Sequence, residues 1–308
     1  MKKYVVKRLV QLIPMILGIT FLTFLLLYIS PGDPAQKRLS AQGVAVTKEV
    51  LAQTREEMGL DRPFIKQYGD WLFHLLQADL GLSYKDGTPV NQKLARGMKN
   101  TFVLAAGAFL LAVAVSLPLG IYTAVRKNRF SDYCIRFICF LGNALPNFLL
   151  AIVLMYFLCI RINAFPVIAK GSLQGLFLPT VALAFPLASR LVRQVRVAVL
   201  KQLETDYVSG ARARGVKKGY ILFRNVLHNA LPSIVTLLGL SVGTLLGGSV
   251  VIESIFMWPG LGKLAMDSIT ARDYPVIQGF VILMAVTYVV VNLLTDLGCR
   301  LLDPRIKE

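Results

Sequence analysis

The residues able to hold a metal or act as nucleophiles are few and scattered. His74 and His228 are the only histidines. Cys134, Cys139, Cys159 and Cys299 lie within or at the ends of apolar runs, with no CxxC pair. That placement suits buried free thiols rather than a metal or redox centre. No HExxH or Cys/His cluster is present, so no fixed zinc or haem site, no metal ligand and no catalytic residue is expected. The stretch nearest to chemistry is 205–232, TDYVSGARARGVKKGYILFRNVLHNALP. It spaces Gly210 and Gly215 as a phosphate-binding loop does, but Val216 stands where that loop needs Lys and no buried strand precedes it. The spacing therefore gives no ground for nucleotide binding by this chain itself. If ATP and Mg drive its work, another polypeptide uses them.

The same stretch alternates apolar and basic residues at helical spacing on both sides of Gly215. A basic amphipathic run of this kind fits either a helix resting on anionic lipid or a docking element for a partner. Gly215 supplies a turn that a side chain would obstruct. Arg212, Arg214, Lys217 and Lys218 supply charged contacts.

The elements that must position this stretch are membrane spans. The chain has 308 residues, 55% of them apolar, and a mean hydropathy of +0.60, which describes a surface that mostly faces lipid. Its formal charge of +17 is distributed between apolar runs, so it reports orientation rather than nucleic-acid binding. Residues 9–29 hold no charge, and their 21 residues cover roughly 31 Å as a helix, enough to cross the hydrocarbon. Lys2, Lys3, Lys7 and Arg8 precede them, placing the N-terminus in the cytoplasm. The run ends at SPGDP without an A-x-A site, so it reads as a retained span rather than a signal peptide.

Residues 30–100 differ in composition, with ten Lys/Arg against eight Asp/Glu and punctuation at SPGDP, GLDRP, DLGLS and DGTP. Thr47 caps a mixed-charge helix. FIKQYGDWLFHLL, from Phe64, reads as an amphipathic helix with Tyr68 and Trp71 suited to an interface. Further spans are expected at 101–125, 135–160, from about 176, at 231–252 and at 276–297, with short outer loops at 161–175 and 253–275. The inside segments collect 20 Lys/Arg against five acids, whereas the outside loops are nearly balanced. The expectation is an all-α membrane protein with six transmembrane helices and both termini cytoplasmic. It divides into 1–29, an extracytoplasmic helical loop at 30–100, and a core at 101–308 carrying a cytoplasmic loop at 199–230.

Two groups inside the spans invite a role. Asn143, Pro146 and Asn147 place amides and a helix break near the depth of a span, where they either line a polar path or bond neighbouring helices. Gly239, Gly243 and Gly247 form a stripe at spacing four, which permits close helix approach within the chain or to another subunit. No charged residue is expected deep in a span, which argues against an ion-coupled carrier.

These residues carry a resemblance. The 205–232 stretch resembles the cytoplasmic motif of permease subunits of ATP-binding-cassette importers. SPGDPA, MGLDRP, DLGLS, ESIFMWPGLG, RDYPVIQG and the closing DPRI narrow it to the dipeptide, oligopeptide and nickel permease family. Ser209, Gly210 and Ala211 stand where the general motif opens Glu-Ala-Ala, and His228 replaces its first closing proline, leaving Pro232. The resemblance implies a half-channel in a prokaryotic inner membrane. A second homologous permease, two ATPase subunits and an extracytoplasmic binding protein would complete it. Tyr207, Ala211, Arg212, Arg214, Gly215, Lys217 and Lys218 would dock the ATPase. KEVLAQTREEMGLDRP with QYGDWL is closer in wording to nickel permeases, favouring nickel or a nickel chelate over a peptide. The reading from another class is a membrane receptor or assembly protein that transports nothing.

Overall fold

A computed structural model of the chain describes residues 2–169 and 172–302. The closing DPRI, at 303–306, lies outside the described residues, as does most of the tail expected to be cytoplasmic. Along the chain the helices are α1 (Lys2–Ile29), α2 (Pro34–Ala41), α3 (Lys48–Glu57), α4 (Phe64–Leu76) and α5 (Val90–Val125). Then come α6 (Phe130–Ala144), α7 (Asn147–Leu154), α8 (Leu173–Leu203), α9 (Asp206–Ala213) and α10 (Lys218–Tyr220). The last three are α11 (Leu227–Ile255), α12 (Leu261–Ala271) and α13 (Tyr274–Leu302). An isolated antiparallel bridge joins Leu82 to Pro89.

Among the described residues, five helical stretches are long and apolar enough to cross a membrane, and the bent pair α6–α7 makes a sixth if it is one broken span. Pro14, Pro118, Pro179, Pro186 and Pro232 all lie inside these helices. Such prolines survive in spans because neighbouring helices and local adjustments satisfy the freed carbonyls.

The helix break expected within 135–160 is present, and two other sequence expectations need correction. α6 and α7 meet at 102° across Leu145 and Pro146, both extended with ψ of 129° and 140°. The residue before a proline avoids the α region, so Leu145 ends α6 and Pro146 opens α7 in a new direction. The second half of 205–232 is not a separate short helix. α10 runs through a π-type turn at Ile221–Val226 directly into α11, so it forms the first turns of the fifth span. Residues 253–275 are not a simple loop either: α11 extends to Ile255, with Glu253 fully buried on it, and α12 fills Leu261–Ala271.

The chain forms two compact units, one of residues 1–101 with 259–290, the other of 102–258 with 291–308. In the first, α3 opens on the expected Thr47 cap and α2, a helix the sequence reading did not anticipate, opens on Asp33. The Asp33 carboxylate accepts from the Ala35 amide at 2.9 Å, and the Thr47 hydroxyl accepts from Val50 at 3.3 Å. α4 lays Phe64, Tyr68 and Trp71 against Phe21, Phe24 and Tyr28 of α1, mostly edge to face. A small core of Val90, Leu94, Leu261 and Val276 closes this unit.

The second unit is organised on α8, whose apolar window is 67% buried. α6, α7 and α11 all pack on it. Gly142 permits the approach of α6, since a methyl there would collide with the Ser189 hydroxyl and the Phe185 ring. At one end of α8, Arg196 makes a bidentate pair with fully buried Asp132, at 2.8 and 3.0 Å, and the Asn128 amide donates to the same carboxylate at 3.1 Å. That arrangement satisfies a charge that burial would otherwise make costly.

Candidate docking loop and span sites

The loop after α8 is built by a few apolar anchors. Val208 and Ala211 of α9 are buried with Val195 and Val199 of α8 and with Ile221 and Val226, the entry to α11. These anchors hold α9 across the ends of two spans. α9 closes in a Schellman arrangement: the Gly215 amide donates to the Arg212 carbonyl at 3.0 Å and the Val216 amide to that of Ala211 at 3.2 Å. Gly215 has φ +74°, and a methyl there would meet nothing within 4 Å. Val216 packs back on the same apolar cluster, completing the hydrophobic contact of the motif. At the other end, Asp206 occupies the first turn of α9, where its charge complements the helix dipole.

The loop thus turns its apolar residues inward and its charges outward. Arg212, Arg214, Gly215, Lys217 and Lys218 are exposed. Tyr207 is half-buried and donates its hydroxyl proton to the Gln202 amide oxygen at 3.1 Å. Ala211 faces the core, so it positions α9 and leaves contact with a partner to its neighbours. Lys127 reaches across to Glu204 at 2.6 Å, tying the α5–α6 turn to the base of the loop. The Lys127 ammonium holds the Glu204 carboxyl below its ordinary range. Both side chains are exposed, so this pair sets geometry more than stability.

The span residues divide differently from their sequence grouping. Asn143 and Pro146 are exposed, while Asn147 is half-buried with its amide nitrogen beside Gly248 of α11. Gly239 is the packing end of the glycine stripe, since a side chain there would collide with Thr295 of α13. Gly243 is half-buried, and Gly247 faces open space together with Leu240, Thr244 and Val251 along the same side of α11. Gly239→Val is expected to overpack this contact by about 1–3 kcal/mol. A lowered melting temperature in detergent, partly restored by Thr295→Ala, checks it, with Gly247→Val nearly neutral for the chain alone.

Four stretches noted in the sequence only as words form one network in the first unit. Arg55 of the TREEMGLDRP stretch pairs with Asp33 of SPGDP at 2.7 Å and with Asp61 at 2.9 Å. Arg272 of RDYP bonds the Pro31 carbonyl and lies on Gly32, whose φ of +110° and lack of a side chain admit the guanidinium. Asp273 is buried and accepts from the Ser83 hydroxyl of DLGLS and, at 2.8 Å, from the Tyr84 amide. Lys93 donates to Ser83 at 2.7 Å, pairs with Asp86 at 2.8 Å and stands 3.9 Å from Asp273. Burial, and then the Asp273 charge, push the Tyr84 phenol up to about 12. Burial would raise Asp86, but Lys93 and Thr88 hold its carboxyl far below its ordinary range. A cavity of about 870 Å³ opens within this unit, lined by Asp33, Arg55, Trp71, Tyr84, Tyr274 and Gln278 among others. The signal for these contacts lay in the words themselves, but nothing in their spacing says that residues some 190 positions apart meet.

Among the described residues no group of three His, Cys, Asp or Glu is placed to hold a metal ion.

Residues 116–308 match the family described as binding-protein-dependent transport system inner membrane component, and residues 1–105 match its N-terminal companion. The metal-staphylopine import system permease protein CntB of Staphylococcus aureus is 36% identical over all of this chain and 99% of its own length. The oligopeptide transport system permease protein AppB of Bacillus subtilis is 37% identical, with both chains fully covered. The glutathione transport system permease protein GsiC of Salmonella choleraesuis is 36% identical, over all of this chain and 99% of its own. Among solved structures, the inward-facing MetNI methionine ABC transporter aligns with a TM-score of 0.58 at 20% identity, over 68% of this chain and 96% of that one. That likeness supports the fold. The chain belongs to the family of binding-protein-dependent transport system inner membrane components, as a multi-pass inner-membrane permease subunit of an ABC importer of the dipeptide, oligopeptide and nickel type.

Proposed function

We propose that this subunit forms half of a translocation pathway for nickel, carried as a small organic chelate, and that separate ATPase subunits drive it through the 206–218 loop. The observation that carries the coupling is the loop's construction: apolar anchors hold α9 on α8 and α11, and four cations surround an exposed Gly215. Force applied to α9 passes directly into two spans. Closure of two ATPases, each hydrolysing ATP with Mg, would draw such loops together and turn the spans outward. Because Tyr207 and Ala211 face inward, Arg212, Arg214, Lys217 and Lys218 would make the contacts and Gly215 would let the ATPase surface approach. A second homologous permease would complete the pathway, with the open stripe at Gly247 as a candidate face for it and Asn143, Pro146 and Asn147 as candidate lining.

In this reading the basic loop and both termini are cytoplasmic, and 30–100 is extracytoplasmic, where it would meet a substrate-binding protein. The excess of Lys/Arg in the segments assigned inside supports that orientation. A bare nickel ion prefers imidazole or thiolate ligands, which do not cluster here. A chelate brings its own ligands and asks of the pathway only hydrogen bonds and apolar walls. CntB is named for metal-staphylopine, and the TREEMGLDRP wording points the same way. A second reading, peptide cargo, draws on GsiC and AppB, named for glutathione and oligopeptides.

Accumulation of labelled nickel, with and without a supplied chelator, and of labelled dipeptide is compared in cells with and without this chain. Chelator-dependent nickel uptake that needs the chain is expected. Dipeptide uptake alone would move the assignment to peptides. Neither, with a partner still bound by 30–100, would favour a receptor.

A further inference from the structure

We infer that α4 lies within the membrane, alongside the last turns of α1, and that its bare apolar face is covered by lipid acyl chains. This goes beyond the transport role and holds whichever side the C-terminal end of α1 faces. The first observation is depth. The apolar window of α1 is Val10–Ile29, 20 residues or about 30 Å, which matches the hydrocarbon core with no slack. α4 does not meet α1 at its end. The Tyr68 hydroxyl bonds Thr20 Oγ1 at 3.1 Å and the Leu17 carbonyl at 3.3 Å, and Tyr68 packs on Phe21 and Phe24. Thr20 is nine residues before Ile29, about 14 Å along the helix axis. A helix resting above the headgroups would reach only Tyr28 and Ile29.

The second observation is the division of α4 around its axis. At about 100° per residue, Phe64, Tyr68, Trp71 and Leu75 share the side toward α1. The adjoining arc holds Leu72, Ile65, Leu76 and Phe73, of which Ile65, Phe73 and Leu76 are 71%, 61% and 81% exposed. The remaining arc is polar, and the preceding turn occupies it. Gln67 donates to the Leu60 and Arg62 carbonyls at 3.0 and 2.7 Å, and Arg62 pairs with Asp70 at 3.0 Å. Water-facing groups thus have partners on one side only. Phe21 contacts Phe64 and Tyr68 at the seam yet stays 38% exposed, and Leu22, Leu26 and Ile29 of α1 are exposed as well. The apolar surface of a span therefore continues onto α4. Lipid covers the span, and at the same depth it covers the arc.

The test uses Trp fluorescence in the full-length chain, purified with its co-assembling subunits. Trp71 and Trp258 are the only tryptophans of this chain, so Trp71→Phe with Trp258→Phe leaves only the co-assembling subunits' emission as background. Phe73→Trp and, separately, His74→Trp on the polar arc are added, reconstituted into plain or dibrominated phosphatidylcholine, and read as the difference from that background. Phe73→Trp emission is expected to fall at least twofold in brominated bilayers and to resist aqueous acrylamide, with His74→Trp showing the reverse. Acrylamide quenching of Phe73→Trp without bromolipid quenching would overturn the inference. Protection from both quenchers would also overturn it, because a protein would then cover the arc. Leu76→Trp gives the same reading at a second site should Phe73→Trp fail to assemble.

Discussion

Replacing Gly215 with tryptophan is expected to cut uptake at least tenfold while the chain still inserts and holds its spans. Two effects separate cleanly at this position. A non-glycine residue at φ +74° carries about 1–2 kcal/mol of left-handed strain, too little to unfold a membrane core anchored through α8. Within the chain the new side chain has room, since nothing lies within 4 Å of the first added carbon. A large loss must therefore come from a body outside this chain. Gly215→Asn, which tolerates the left-handed conformation, is expected to keep most uptake, and Gly215→Ala to lose somewhat more. Cellular accumulation of labelled substrate, with insertion checked by membrane fractionation, reads the series. Equal losses for Ala and Trp would reduce Gly215 to a helix cap.

The second large effect is expected at Asp273. Asp273→Ala removes the acceptor of the Ser83 hydroxyl and the Tyr84 amide and the second carboxylate near Lys93. Breaking one side of such a buried set costs about 3–5 kcal/mol, a large part of the ~5–15 kcal/mol that holds a typical domain. The turn at 79–89, held by the Ser83–Thr88 and Gly87–Ser83 backbone bonds and the Val90–Gly81 bond, would then lose its anchor to the start of α13. A fall in melting temperature and new proteolytic cleavage within 79–89 are expected. Asp273→Asn keeps one carbonyl acceptor and should lose less. Ser83→Ala should cost about 1 kcal/mol, the usual net value of one hydrogen bond. If Asp273→Ala melts like the unmodified chain, the network is decorative.

What could be read in the sequence follows from range. Hydropathy over twenty residues finds spans such as Val10–Ile29 because each backbone in lipid must bond within itself. The turn at Gly215 was legible because a Schellman close is a local event in six residues. The break at Pro146 was also visible, but its 102° angle was not, since it depends on what α8 offers to α6 and α7. The run from Lys218 into α11 hid behind KKGY, which reads as a helix start and is one, but of a span rather than of a free docking helix. A π-type turn shifts helical phase within a single segment, so period counting misses it. The Asp273–Ser83 bond and the Arg55–Asp33 pair were out of reach, because no local pattern encodes which distant loops meet. Likewise α4 was legible as amphipathic, but only its contact with Thr20 and Leu17 gives its depth.

In the proposed mechanism, ATP hydrolysis in partner subunits moves the span core through the 206–218 loop. The most direct measurement is substrate accumulation in right-side-out vesicles or proteoliposomes of the whole complex, energised either by ATP sealed in the lumen or by an imposed proton gradient. Accumulation that requires ATP, is insensitive to the gradient and is lost with Gly215→Trp is the predicted result. Accumulation driven by the gradient in the absence of ATP would contradict the account.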